Sequence, residues 1–386
     1  MDNFLQTTNF NLLRQSLRLD DPSNAIKAAK EIIEKNLIDW NDLVERAHLN
    51  CVKPQLGNLL NKIPAQMVPT EIIEKLKEAN LANAYCQMSN LSEFFQIKQL
   101  LDEAGIVAIP FKGFWLAQNF YGNLAHRESI DVDLFIDSKD LEKIKVIMHA
   151  RGYITENTIS QLTTNYILKE LCEYNFDKYF DNTRVFHFEF HWKIGLAIYE
   201  MGISFNDLKS HLTSGFIQNK EIKVFSSSAN FLLTVMHHGG KDQYLQLKQV
   251  MDIAYLINKQ EKMNWGWIVS QAKRFYVEHL IYIAVRMASL LTGTIIPDEI
   301  KENVNSKFIQ NLATNRIQMM SDPPSNWHSW RHNLLSWNFQ IRSRSSRKLK
   351  IRLIIYKIRR ELLPQLVPKK LHYLFFNNKI RIRPIN

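Results

Sequence analysis

Residues 185–194 read VFHFEFHWKI, in which Phe186, Phe188 and Phe190 alternate with His187, Glu189 and His191. A period of two belongs to an extended strand, whose successive side chains point to opposite faces. The three Phe share one face and pack into a core; a carboxylate flanked by two imidazoles occupies the other. Just upstream, EYNFDKYF (173–180) is joined to this stretch through Asp181-Asn182, which predicts a hairpin. Water alone does not call for a carboxylate held between two His, so the partners of Glu189 must be sought elsewhere in the chain.

SIDVDLFID, residues 129–137, supplies them. Ile130, Val132, Leu134 and Ile136 fall on one face of a strand, Asp131 and Asp133 on the opposite one. Carboxylates at i and i+2 repel each other, and in a cleft that repulsion needs a cation to offset it. With Glu189 from a neighbouring strand, three carboxylates can converge on Mg²⁺, a hard ion that takes oxygen ligands. Two such ions about 4 Å apart clamp the attacking and leaving oxygens of a phosphoryl transfer. Asp-Val-Asp alone fits any half-exposed strand equally well, and three further features shift the balance. IPFKGFWL (109–116) sets Lys112-Gly113 between a strand and a helix start, where Gly admits close backbone approach and helix N–H groups face a phosphate. Arg127, four residues before Asp131, either pairs with triphosphate oxygens or neutralises the aspartates. Glu189-x-His191-Trp192 lies on a later strand, as a third ligand position requires, and His191 is a candidate proton carrier or an orienting group.

These segments sit between helical flanks. DDPSNAIKAAKEIIEKN opens with an Asp-Pro helix start, and amphipathic periodicity continues to about residue 105. Helical character returns from about Ser226, and SDPPSN (321–326) is the clearest breaker. The expected fold class is α+β: N-terminal helices (1–105), a small mixed-sheet α/β core (106–225), C-terminal helices (226–320) and a basic tail with an amphipathic helix (321–386). In the second helical region His237 and His238 end an apolar helix and Gly239-Gly240 breaks it. Lys241 then faces the triphosphate from the opposite wall, with Asp252 orienting it or the acceptor hydroxyl; a helix-terminal Lys and a helical salt bridge are the plainer alternative. The adjacent His find no Cys or third His at metal-ligand spacing, which argues against zinc.

The 386-residue chain is ample for two or three domains, and sparse Gly (12) and Pro (11) favour helix. Cys51, Cys86 and Cys172 lie far apart without CxxC spacing, as expected for reduced thiols in the cytoplasm. No run of about 18 apolar residues predicts a membrane span, and the first residues lack a signal-peptide pattern. The net charge of +11 is localised: residues 342–386 hold fourteen Lys and Arg against Glu361, leaving the rest of the chain at −2.

Lys-Gly, Tyr121, Arg127, Asp131-x-Asp133 and Glu189-x-His191-Trp192, in this order, resemble the bacterial uncharacterised nucleotidyltransferase family of the polymerase-β-like nucleotidyltransferase superfamily. IDWNDLVERAHLNCVKPQLGNLL and LLTVMHHGGKDQYLQLKQVMDIAYLI resemble its flanking helices, so the resemblance spans about residues 30–300. It implies that Asp131 and Asp133 ligate metal, that Glu189 fills the third acidic position, and that Lys112-Gly113 is the nucleotide-phosphate turn. The superfamily's usual turn is Gly-Gly or Gly-Ser close before the acidic strand; here it is Lys-Gly, eighteen residues ahead of Asp131.

The expected activity is transfer of NMP from an NTP, ATP first among them, to a hydroxyl or similar acceptor with loss of pyrophosphate. The expected cofactor is Mg²⁺, with Mn²⁺ as an alternative, and Asp131 or Glu189 helps deprotonate the acceptor. A toxin-like RNA or tRNA nucleotidyltransferase and a non-catalytic nucleotide-binding scaffold are the rivals. In the tail Ile351, Ile354, Ile355, Ile358 and Leu362 line one helical face. That face packs on the body, lies on an anionic membrane surface, or accompanies basic residues that grip RNA, with Tyr373, Phe375 and Phe376 serving either of the last two. The first is preferred, because an uncovered stripe would face water.

Overall fold

The computed structural model describes residues 8–259, 263–322 and 330–358. Helices Thr8–Gln15, Pro22–Lys35, Trp40–Leu49 and Lys53–Leu60 precede the 34-residue helix Thr70–Glu103. The Asp-Pro signal at 21–22 acts as expected: the Asp21 carboxylate accepts from the Asn24 N–H and Pro22 opens the helix.

Strands β1 (Ala108–Pro110), β2 (Val132–Ile136), β3 (Glu173–Phe180) and β4 (Thr183–His191) form a mixed sheet in the order β1-β2-β4-β3. β1 runs antiparallel to β2, β2 parallel to β4, and β3 antiparallel to β4. Asp181 and Asn182, with φ of 45° and 62°, make the two-residue turn of the β3–β4 hairpin. Two successive positive φ values match the right-handed twist of the strands they join, which Asp and Asn tolerate better than other side chains. β2 and β4 are the central strands; β2 is buried along its whole length, whereas β4 is exposed at Thr183–Val185 and becomes buried towards Phe188, Phe190 and His191. Phe188 and Phe190 lie against Tyr153 and Phe176 on one side, with ring centroids 5.5 and 5.7 Å apart. Ile130 departs from the expected face: it precedes β2 and is exposed.

A second hairpin, β5 (Leu212–Ile217) and β6 (Lys220–Phe225), packs beside β1. Beyond it, the helix Ser227–Val235 is not broken by the two glycines. It continues as a π-helical turn over Met236–Lys241. A side chain at Gly239 would run into the Tyr244 ring and one at Gly240 into Met201, so the glycines serve close packing and leave the backbone helical. Helices Leu247–Asn258, Trp265–Arg274, Glu278–Thr292 and Lys307–Ser321 complete the second helical region. One contiguous apolar core runs through the chain from Phe10 to Phe339.

In the basic tail the described residues form helices Trp330–Arg342 and Arg347–Lys357, and the second is turned over relative to expectation. Leu349, Leu353 and Lys357 face the body, whereas Ile351, Ile354, Ile355 and Ile358 are exposed. Two leucines already satisfy the packing, which leaves the isoleucine stripe outside. Leu362, Tyr373, Phe375 and Phe376 lie outside the described residues.

Candidate active site

The register of the sheet builds the site. Asp133 pairs with Glu189 across the parallel β2–β4 ladder, and Glu189 pairs with Asn175 across β3–β4. Two residues further along, and so on the same face, Phe135, His191 and Glu173 form the next row. Side chains in register on neighbouring strands share a face, so Asp133, Glu189, His191 and Glu173 converge. Glu173 joins them through a β-bulge. The ladder runs Phe180–Thr183 and Tyr179–Arg184 near the turn and Lys178–Phe186 beyond it, leaving Val185 as the extra residue. Without that bulge Cys172 and Tyr174 would flank His191 and Glu189, and Glu173 would point to the opposite face.

Cations fill the space above this face. The Lys112 ammonium lies 2.6 Å from Asp133 Oδ1 and donates to His237 Nε2 at 2.9 Å. Lys112 hangs from the turn after β1, where Gly113 has φ +54° and a Cβ would stand 3.2 Å from the Asp131 carbonyl oxygen. Glycine meets both that conformation and that close approach without strain. His191 Nε2 is shared between Asp133 Oδ1 at 3.2 Å and Glu189 Oε2 at 3.1 Å, and its Nδ1 lies 3.1 Å from Glu173 Oε2. The Lys241 ammonium donates to both oxygens of Glu173, at 2.7 and 2.8 Å. His187 bridges Asp177 at 2.6 Å and Glu189 at 3.2 Å.

The electrostatics follow from this packing. Burial alone would discharge His191, but Glu173, Asp133 and Glu189 outweigh it and push the imidazole up to about 10. His187 is pushed up to about 9, the bonds to Glu189 and Asp177 overcoming its burial. His237 goes the other way, to about 4, through burial and the neighbouring Lys112 charge. It is therefore neutral: Nε2 accepts from Lys112, and the proton sits on Nδ1, 3.1 Å from Asp242 Oδ2. Burial disfavours charge on Asp133, Glu173 and Glu189, yet the surrounding cations, led by Lys112 for Asp133 and Lys241 for the glutamates, hold all three below the usual carboxylate range.

Arg127 and Asp252, separated by 125 residues, are placed on each other. The guanidinium grips both carboxylate oxygens at 2.8 Å, while Tyr121 Oη at 2.7 Å and His238 Nε2 at 2.9 Å complete the shell. All four side chains are buried. Arg127 also reaches the Gly113 carbonyl at 3.5 Å, so this clamp ties the Lys112-Gly113 turn to helix Leu247–Asn258.

Among the sequence candidates, the fold thus assembles Asp133, Glu189, His191 and Lys112, with Lys241 joined through Glu173. Asp131 stands at the entrance to β2, where Oδ1 accepts the Ser129 hydroxyl, and its charge is felt at Lys112. Gly113 shapes the turn, whereas Arg127 and Asp252 brace it from behind. Glu173, His237 and Asp242 were not singled out as ligands from sequence. The bulge hid Glu173, and the π-turn hid the direction of the two His.

Among the described residues, three groups of donors could hold a cation, each with ligand atoms within 4.8 Å of one another. In the group His237, His238 and Asp242, the ring nitrogens of the two His are already engaged with Lys112, Asp252 and the Asp242 carboxylate, which suits a structural role. Glu173, Glu189 and His191 form an ion cluster in which the imidazole is already protonated. Asp133, Glu189 and His237 differ: the His237 nitrogen carries a lone pair, and the positive charge among them is the Lys112 ammonium. Hard carboxylate oxygens around a point already occupied by positive charge fit a divalent cation such as Mg²⁺.

A helix-flanked mixed sheet that gathers carboxylates and lysines on one buried face has the groups needed to meet a metal-bound phosphate. The chain belongs to the uncharacterised nucleotidyltransferase family, whose profile matches residues 36–293, about two thirds of its length. Membership supports nucleotidyl transfer as its general chemistry and a nucleotide as substrate. No curated protein and no solved structure matches the chain. Among the described residues no helix is long and apolar enough to cross a membrane.

Proposed function

We propose that the protein transfers a nucleoside monophosphate from an NTP to a hydroxyl acceptor in a Mg²⁺-dependent reaction. The observation that carries this reading is the in-register Asp133–Glu189 pair on parallel strands with the buried Lys112 ammonium against it. Asp133 and Glu189 would hold the divalent ion, with Asp131 beside them at the strand entrance. When bound, Mg²⁺ neutralises phosphate oxygens and stabilises charge on the leaving pyrophosphate. Lys112, relieved of Asp133, turns to the phosphates from a Gly turn that admits their approach. The acceptor oxygen bonds to the α-phosphorus, the bond from that phosphorus to the pyrophosphate oxygen breaks, and pyrophosphate departs. The acceptor proton passes to Asp131. Glu189 is the poorer base, because Lys241, His187 and His191 already stabilise its anion. His191, pinned by three carboxylates, positions Asp133 and Glu189.

Calorimetric titration of the purified protein with ATP, in Mg²⁺ and in EDTA, tests this reading. Binding that needs Mg²⁺ and is lost in Asp133→Asn supports it. Equal binding by Asp133→Asn, or binding indifferent to Mg²⁺, places the nucleotide elsewhere.

A further inference from the structure

Helix Arg347–Lys357 is fastened to the body by its inner side. Leu349 and Leu353 are fully buried, Arg352 pairs with Glu200, and the Lys357 ammonium lies 4.9 Å from the centre of the Trp337 ring. The outer side carries Ile351, Ile354 and Ile355, exposed by 58, 40 and 46%, and Ile358 just past the helix at 41%. With 3.6 residues per turn, these four fall in one sector of roughly 100°, opposite Leu349 and Leu353. Lys348 and Lys350 border the sector on either side, and Arg347 lies within it at the N-terminal end. Single surface isoleucines are ordinary; an apolar stripe with a basic rim, on a helix already anchored by its other face, marks an interaction surface.

Charge complementarity identifies the occupant. Residues 342–386 have a net charge of +13, against −2 for all the rest. The occupant must be anionic and must also offer an apolar layer just beneath its charge. RNA presents phosphates without aliphatic depth, whereas an anionic bilayer presents both in the required order. We propose that the outer face of this helix docks the protein on an anionic lipid surface. The helix lies in the interfacial plane, with Ile351, Ile354, Ile355 and Ile358 below the headgroups and Lys348 and Lys350 among them. Each Lys or Arg close to such a surface contributes about fivefold to binding.

Vesicle flotation with the full-length chain tests the proposal, using phosphatidylcholine vesicles with and without phosphatidylserine, the lipid that supplies the negative surface potential. The wild type should float with the anionic vesicles only, and salt should weaken binding. The variant I351S/I354S/I355S/I358S should lose at least tenfold in vesicle partitioning while keeping its melting temperature and its affinity for added tRNA. The proposal fails if the wild type ignores anionic vesicles or binds neutral ones equally. It also fails if the variant binds vesicles like wild type, since charge alone then suffices. A lower melting temperature in the variant, or a wild-type dimer that the variant breaks, would equally overturn it, by showing that the stripe is covered by protein.

Discussion

Asp252→Asn tests the clamp that holds the site in shape. In the native protein the Asp252 carboxylate accepts four hydrogen bonds, two from Arg127, one from Tyr121 and one from His238, and none of these groups reaches bulk water. An asparagine presents an NH₂ group to a guanidinium that can only donate, and it leaves the Arg127 charge buried without a counter-charge. Removing one partner of a buried ion pair costs about 3–5 kcal/mol. If the chain melts as one unit, an unfolding entropy near 2.1 cal/mol/K per residue over 386 residues converts that to roughly 4–6 °C. The pair also fixes a pH response. Arg127 and His238 hold the Asp252 carboxyl below the usual carboxylate range in spite of its burial. A group depressed on folding contributes its full stability above its unfolded value, about 4, and loses it as pH falls further. The stability gap between wild type and Asp252→Asn should therefore be flat from about pH 6 to 8 and narrow only below about pH 4. Urea denaturation across this range measures it, with Arg127→Met/Asp252→Leu as the second arm. That double variant removes both charges and should be more stable than Asp252→Asn. A single-mutant loss under about 1 kcal/mol, or a double mutant that simply adds two losses, would show that Arg127 and Asp252 do not depend on each other.

Three further outcomes are expected. Gly113→Ala should cost about 1–2 kcal/mol in urea denaturation, because alanine must adopt φ near +54° against the Asp131 carbonyl, and it should depress nucleotide binding by displacing Lys112. Mg²⁺ at a hundredfold excess over its dissociation constant should stabilise wild type by about 2.7 kcal/mol in thermal melts, an increment absent from Asp133→Asn and reversed by EDTA. Leu353→Ala should cost about 2–5 kcal/mol, whereas Ile354→Ser on the outer side of the same helix should stay within about 0.5 kcal/mol, both by urea denaturation.

Local patterns in the sequence predicted much of the fold. Phe-x-Phe-x-Phe, the Asp181-Asn182 turn and the alternation around Asp131 located β2, β3 and β4, and Asp21-Pro22 located a helix start. The β5–β6 hairpin escaped notice, because its turn is Gln218-Asn219, without the Gly that most strongly marks such turns. Parity counting placed His187, Glu189 and His191 on one face correctly, but it cannot count through a bulge, so Glu173 stayed hidden until the register was seen. Gly239-Gly240 reads as a helix breaker from propensity; contacts with Tyr244 and Met201, available only in three dimensions, make the same residues a π-turn. Nothing local links Arg127 to Asp252, and each suited a separate role at the site as plausibly as the pair they form. Helix Arg347–Lys357 is apolar on two sides, and periodicity alone favoured the longer isoleucine stripe over Leu349 and Leu353.

The most direct test of the central claim follows the label on the nucleotide. The protein is incubated with Mg²⁺ and either α- or γ-labelled ATP, alongside metabolite, protein and RNA fractions as acceptors, and pyrophosphate is measured in the same tubes. The α-label should enter one acceptor fraction with equimolar pyrophosphate. Asp133→Asn and Glu189→Gln should each reduce this by at least about a hundredfold, the scale for losing a group that stabilises transition-state charge. Transfer of the γ-label instead, or undiminished α-label transfer by Asp133→Asn, would contradict that claim.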